Sequence, residues 1–300
     1  MDAADPPAQR QVFLSPHLDD AALSAGGTLH RLAAGGASVT VLTVCAGRPP
    51  ESDLSAYALG LHARWGQAPD EALGAAAAMV ARRRAEDRAA CRRLGAACVH
   101  LKLPDLIYRR RANGAWAAES DADLFAGAAG VDAGTVDRLA RRLGRWLTRH
   151  ELVTVHGSLT PTTGPQGSSG SPAPFRLWLP LGIGDHVDHR LCRQAAERLA
   201  ALHPGSIDLR YYEDYPYAED AASRAKALES APPDRRWRER RLPVSRHDLL
   251  AKIDAVACFV SQISTFWSDE AGMCAALTDF ARRAAAPVDG WAETFWERST

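Results

Sequence analysis

The sequence contains no run of about 18 apolar residues, the length a helix needs to cross a bilayer, so no transmembrane helix is expected. Its first ten residues, MDAADPPAQR, lack the basic-then-apolar layout of a secretory signal, and cytoplasmic placement is expected. Neither charge is in excess: 36 Lys and Arg balance 36 Asp and Glu. Without a net field, neither nucleic acid nor an anionic membrane is expected as a partner. The arginine clusters at 82–84, 109–111 and 235–241 read as solvated helix faces or loops. Cysteine is scarce and scattered. Cys45, Cys91, Cys98, Cys192, Cys258 and Cys274 contain no Cys-x-x-Cys pair, which argues against a cysteine-built zinc site and for reduced core residues. No G-x-G-x-x-G dinucleotide fingerprint and no G-x-S-x-G elbow is present, which disfavours dinucleotide binding and serine hydrolase chemistry. What remains is ordinary for a globular enzyme: 300 residues, 46% hydrophobic and 24% charged, enough for a single α/β domain spanning 1–300.

The apolar pattern is that of alternating strands and helices. QVFLS (11–15) reads as a buried strand, a helix runs from Ala21 to about Ala34, and ASVTVLTVC (37–45) is a second strand rich in β-branched residues. Strand, helix and strand within about 35 residues form the βαβ unit of a parallel sheet. A short helix within 47–74, a long helix at 75–95 and a strand at 98–103 follow. The segment 105–131 reads as irregular, 133–149 as helix, and LVTVH (152–156) and FRLWLPL (175–181) as strands. Between those two strands, 157–174 is rich in Gly, Pro, Ser and Thr and reads as a mobile loop or a lid. A helix at 185–202 is followed by IDLRYYEDYP (207–216), which ends the sheet pattern. A polar loop at 219–243 and helices at 246–262 and 269–285 complete the chain. The fold class is α/β and Rossmann-like, a mostly parallel sheet with helices on both faces.

Two short segments carry the chemistry. Ser15-Pro16-His17-Leu18-Asp19-Asp20 follows the first strand, where open α/β sheets bind ligands. Two adjacent carboxylates and an imidazole repel or crowd one another unless a divalent cation or a helix N-terminus offsets them. Simple helix capping accounts for one aspartate and leaves His17 unexplained. The second segment, Asp185-His186-Val187-Asp188-His189, opens a predicted helix. There Asp185 can cap, and His186 and His189 share one face. A polar first turn with surface histidines explains this segment on its own. Both segments follow a strand and open a helix, so neighbouring parallel strands would bring them to one rim. Ligands of mixed nitrogen and oxygen type with an open position match catalytic zinc, whereas magnesium and calcium sites suit the histidines poorly.

Pro16-His17-Leu18-Asp19-Asp20 and His186-Val187-Asp188-His189 resemble the two motifs of the LmbE-like, or PIG-L, family of N-acetylglucosamine deacetylases. The resemblance covers most of the chain and is strongest over 11–47, 82–105 and 182–192. It implies Zn²⁺ held by His17, Asp20 and His189, with Asp19 as general base. His186 would meet the developing oxyanion or protonate the leaving amine, and Asp188 would tune it. Val187 stands where the family has proline. Arg83 or Arg84 and Asp105 match positions near the sugar hydroxyls, the competing reading of the arginines being ion pairs with Glu86 or Asp87. The resemblance implies a small N-acetyl sugar or glycoconjugate as substrate and leaves a homo-oligomer open. A thiol-conjugate amidase and a non-catalytic binding protein are the alternatives.

The remaining signals are weaker. His30 and His100 read as structural, and His156 as a loop-edge histidine before a site-lining one; Tyr211, Tyr212, Tyr215, Tyr217 and Trp237 read as ordinary packing before a sugar-stacking wall. Gly26-Gly27 reads as a close helix approach.

Overall fold

The computed structural model describes residues 10–50, 53–66, 74–150, 175–229 and 236–298. The expected strand at 152–156, the loop at 157–174 and His156 lie outside the described residues. In chain order the elements are β1 (Arg10–Ser15), α1 (Asp20–Ala34), β2 (Ser38–Thr43), α2 (Ala56–Arg64), α3 (Gly74–Arg93), β3 (Ala97–His100) and α4 (Asp121–Leu124). Then come α5 (Ala133–Arg149), β4 (Phe175–Pro180), α6 (Val187–Leu202), β5 (Ile207–Tyr212), α7 (Ala221–Glu229) and β6 (Trp237–Val244). The last are α8 (Arg246–Val256), α9 (Val260–Phe266), α10 (Glu270–Ala285) and β7 (Trp291–Arg298).

The seven strands form one sheet in the order β3-β2-β1-β4-β5-β7-β6. The first five are parallel, and β7 and β6 continue the sheet antiparallel. The chain runs from β1 outward through β2 to β3, then returns to β4 and runs the other way to β5. Right-handed crossovers on either side of that reversal place α1 and α6 on opposite faces. Accordingly α1 and α3 pack on α8, whereas α5 packs on α6. Helix α5 shows why: Val136, Leu139, Ala140, Leu143 and Leu147 recur at helical spacing and are its buried stripe. The parallel strands are buried on both faces, so they read as nearly continuous apolar runs such as VFL (12–14), with Phe13 and Leu14 fully buried.

The second half of the chain corrects three expectations. The sheet does not end at 207–216, and 219–243 is not all loop: it holds α7 and the strand β6, which pairs with β7 along its length. Arginines that made this stretch look like loop are partnered: Arg238 and Arg240 meet Glu297 at 3.8 and 2.7 Å, and Arg241 pairs with Glu239. Strand β6 lies at the sheet edge, where charged side chains discourage further pairing and blur the alternation that reveals a strand. The helix expected at 246–262 is two helices, α8 and α9. No single helix among the described residues is long and apolar enough to cross a membrane.

Candidate metal centre

Strands β1 and β4 are hydrogen-bonded parallel neighbours, with Phe13 opposite Trp178, so the segments leaving them emerge side by side where the strand order reverses. After β1, Ser15 does the capping. Its Oγ accepts the Ala21 N–H at 3.1 Å and donates to the His17 carbonyl at 2.6 Å. Asp19 occupies the N-cap position, but its side chain makes no capping bond. Asp20 Oδ2 accepts the His17 N–H at 2.7 Å. After β4, Gly182 turns the chain with φ +81, a conformation open to glycine. Asp185 does not cap α6 as its position suggested. Its carboxylate accepts from Arg190 Nε at 2.9 Å and pairs with Lys226 at 2.6 Å, while His186 caps the helix by accepting the Asp188 N–H on Nδ1 at 3.2 Å.

These two turns bring His17, Asp20 and His189 together. Asp20 Oδ2 lies 3.2 Å from His17 Nδ1 and 3.3 Å from His189 Nε2. The outer nitrogen of each imidazole meets another carboxylate: His17 Nε2 lies 3.3 Å from Asp188 Oδ2, and His189 Nδ1 lies 2.6 Å from Asp214 Oδ1. Each ring thus has one nitrogen held from behind and the other turned to a common point, the arrangement by which carboxylates fix metal-ligating histidines. A second group, His17, His186 and Asp188, also lies within ligand distance. Its Asp188 is already occupied, accepting from Leu106 N–H at 3.0 Å and pairing with Arg109, and its His186 spends Nδ1 on the helix cap. The first group therefore fits a cation better, and two nitrogens and one oxygen suit zinc.

Charge in the cluster is uneven. Burial pushes the Asp19 carboxyl up, Arg83 pulls it down and Asp20 pushes it up again, leaving it at about 6. Burial also resists ionisation of Asp20, yet His189 and His17 hold it well below the usual carboxylate range. Burial opposes charge on His189, but Asp20 and Asp214 outweigh it and lift the ring to about 9. His17 is raised in the same way, against burial, by Asp105 and Asp20. Burial, then the neighbouring His17 and His189, push His186 well below its ordinary value, so it stays neutral. With Nδ1 accepting from the backbone, a neutral His186 carries its hydrogen on Nε2.

A cleft of about 280 Å³ opens over this cluster, lined by His17, Asp19, Asp20, Asp105 and His186, with Trp65, Phe125, Tyr217 and Phe266 among its apolar walls. Arg83 also lines it; it reaches Asp19 at 3.6 Å and stacks over Trp65 at 4.7 Å. Arg84 is not brought to this cleft: it lines a separate cavity with Arg48 and Lys102. Arg82, rather than either neighbour, pairs with Glu86. Asp105 approaches His17 Nε2 at 3.7 Å and accepts the Ile107 N–H. Asp188 meets His17 rather than the expected His186 ring. The sequence reading missed Asp214, although a carboxylate two residues past β5 stands at the rim where site residues gather. It also missed Arg109, which belongs to an arginine cluster expected to be solvated but pairs with fully buried Asp188. Of the aromatics read as packing or as a sugar-stacking wall, Tyr217 is a wall of the cleft.

Residues 12–161 match the family model described as PIG-L, GlcNAc-PI de-N-acetylase. A 2'-N-acetylparomamine deacetylase from Niallia circulans is 31% identical over 217 residues, 69% of this chain and 66% of that protein. The teicoplanin deacetylase Orf2, solved in a form described as zinc inhibited, is 27% identical with a TM-score of 0.74, covering 97% of this chain and 98% of its own. The A40926 pseudoaglycone deacetylase Dbv21 is 28% identical with a TM-score of 0.70 at the same coverage. The fold and these relatives agree with the resemblance, and the chain belongs to the PIG-L, LmbE-like family.

Proposed function

We propose that the chain is a zinc-dependent hydrolase that removes the acetyl group from an N-acetylglucosamine-type sugar or glycoconjugate. The observation that carries this is the pair of imidazoles, His17 and His189, each backed by a carboxylate and turned toward Asp20, beneath a cleft that also holds the Asp19 carboxylate with Arg83 beside it. His17, Asp20 and His189 would hold the cation. When bound, it polarises the acetyl carbonyl and acidifies a water, which an amide needs because its carbonyl is weakly electrophilic.

Asp19, free of capping and flanked by Arg83, accepts the proton of the attacking water. Arg83 keeps that carboxylate ionised and aimed. His186, neutral and carrying its hydrogen on Nε2, faces the cleft as a donor to the developing oxyanion, and a lost donor of this kind costs on the order of 10²–10³ in turnover. Asp188 and Asp214 orient the two ligand rings. Arg83 and Asp105 are placed to meet sugar hydroxyls, and the walls Leu61, Trp65, Leu124, Phe125 and Phe266 suit an apolar aglycone.

The assay is acetate release from a panel of N-acetyl glycosides and acylated glycoconjugates. Acetate should appear, vanish on chelation and return with zinc. Since one relative is described in a zinc-inhibited form, zinc is to be titrated over a wide range, with cobalt alongside. No acetate from any member would sink this reading and leave an amidase for another amide.

A further inference from the structure

Helix α3 and strand β3 face each other through two short-range pairs. Asp87 and Cys91 are four apart on the helix, hence on one face, and Cys98 and His100 are two apart on the strand, hence on one face. The turn at Leu94-Gly95 folds one pair against the other. Cys91 Sγ lies 3.6 Å from Asp87 Oδ1, Cys98 Sγ 3.7 Å from Asp87 Oδ2, Cys98 Sγ 3.2 Å from His100 Nε2, and His100 Nε2 2.9 Å from Asp87 Oδ2. The spacing Cys-x₆-Cys hides this grouping from a search for adjacent cysteines, because the donors come from two different elements.

We propose that Asp87, Cys91, Cys98 and His100 form a second cation site, taking a soft divalent metal, zinc foremost, independently of the catalytic centre. Asp87, Cys91 and Cys98 all lie within 4.8 Å of one another, and His100 joins them through Asp87 and Cys98. Tetrahedral zinc with bonds of about 2.0–2.3 Å has ligand-to-ligand edges of about 3.3–3.8 Å, and the four separations above fall within about 0.4 Å of that range. Two sulfurs, one imidazole and one carboxylate fill four positions, which is the closed set of a structural site.

The hydrogen bonding points the same way. Both Cys98 and Asp87 approach the same nitrogen of His100, and Nε2 offers one hydrogen or one lone pair, so it can answer only one of them. Without a cation, both thiols, the ring and the Thr43 hydroxyl at 2.9 Å all converge on the one carboxylate of Asp87; a cation among the four donors takes up that crowding. The same convergence excludes a thiol nucleophile relayed through His100 to Asp87, which needs the two ring nitrogens to face different partners. With both thiols ionised, the loaded site carries one excess negative charge. Arg84 lies within electrostatic reach of Cys98, and its buried Nε has no hydrogen-bond partner. Asp87 and Cys91 are buried, whereas Cys98 is half-buried and leaves a path for entry.

Cobalt titration of the reduced, chelated protein reads this directly, since the proposed catalytic ligands contain no sulfur. Wild type should take two equivalents and develop a near-ultraviolet thiolate-to-cobalt charge-transfer band; Cys98→Ser should take one and lose the band. In wild type, with no variant needed, zinc but not magnesium should slow alkylation of Cys91 and Cys98, mapped by peptide mass. Absence of the band, or alkylation of both thiols at the same rate with and without zinc, overturns the proposal. So does a Cys91–Cys98 disulfide found after thiols are trapped at lysis, which would make the pair a redox couple.

Discussion

Helix α1 has two N-termini, and they hold buried charge in opposite ways. The helix breaks at Ala25, where φ is −135, and a second helical stretch starts behind it. At that inner start Glu293 accepts the Gly27 N–H at 3.0 Å and the Thr28 N–H at 2.8 Å, and Lys252 meets the same carboxylate at 2.8 Å. The packing is tight: a Cβ on Gly27 would stand 2.7 Å from Val244. At the outer start Asp19 makes no capping bond, and Asp20 sits among histidines whose protons stand in for a cation. Both regions bury charge, but only the inner one answers every charge with a fixed partner. A satisfied buried pair holds structure, whereas a buried cluster whose pKa values are driven apart is built to exchange a proton or an ion.

Four experiments can break or sharpen that contrast. The largest effect is expected from Asp19→Asn, which should lower turnover by about 10²–10⁴ while metal content stays as in wild type. Unchanged kcat would remove Asp19 from the chemistry. At the inner end, Lys252→Met leaves Glu293 charged, buried and without its cation, and should cost about 3–5 kcal/mol in denaturant unfolding while turnover per folded molecule persists. A collapse of that turnover would show that the two ends are not separable. Asp214→Asn removes the carboxylate behind His189 and should weaken metal binding by about 10–100-fold in competition with a chelator. An unaltered affinity would reduce Asp214 to a support for the Gly182 turn, where its other oxygen accepts the Gly182 and Ile183 N–H groups at 2.7 and 2.9 Å.

The smallest effect is a pH dependence. In the metal-free protein His189 is lifted from 6.5 to about 9, so the folded state holds that proton more tightly than the unfolded chain. Its contribution to stability is therefore full below about 6.5 and is lost as pH rises through about 9. Thermal melts across that window should show the decline without metal and not with it, because the ion replaces the proton. Identical curves would place the proton elsewhere.

Much of the site was legible because it lies close to the chain: His17 to Asp20 and His186 to His189 are each a few residues long and each opens a helix after a strand. The parallel half of the fold was legible for a similar reason, the buried cores of its strands, such as 12–14 and 177–179, being short apolar runs. What escaped depends on contacts distant in sequence. Asp214 is 25 residues from His189, and Arg109 is 79 from Asp188, so neither partner is visible in the other's neighbourhood. Strand β6 escaped because its arginines find Glu297 only once β7 lies beside it. The caps escaped because Ser15 and His186 do work that composition assigns to aspartate.

The most direct test of the central claim is anomalous diffraction at the zinc edge from a crystal of zinc-loaded protein. The account predicts a peak within about 2.0–2.2 Å of one atom each from His17, Asp20 and His189, with a face open to the cleft. A cation held instead by His17, His186 and Asp188, or no density between the first three, would contradict it.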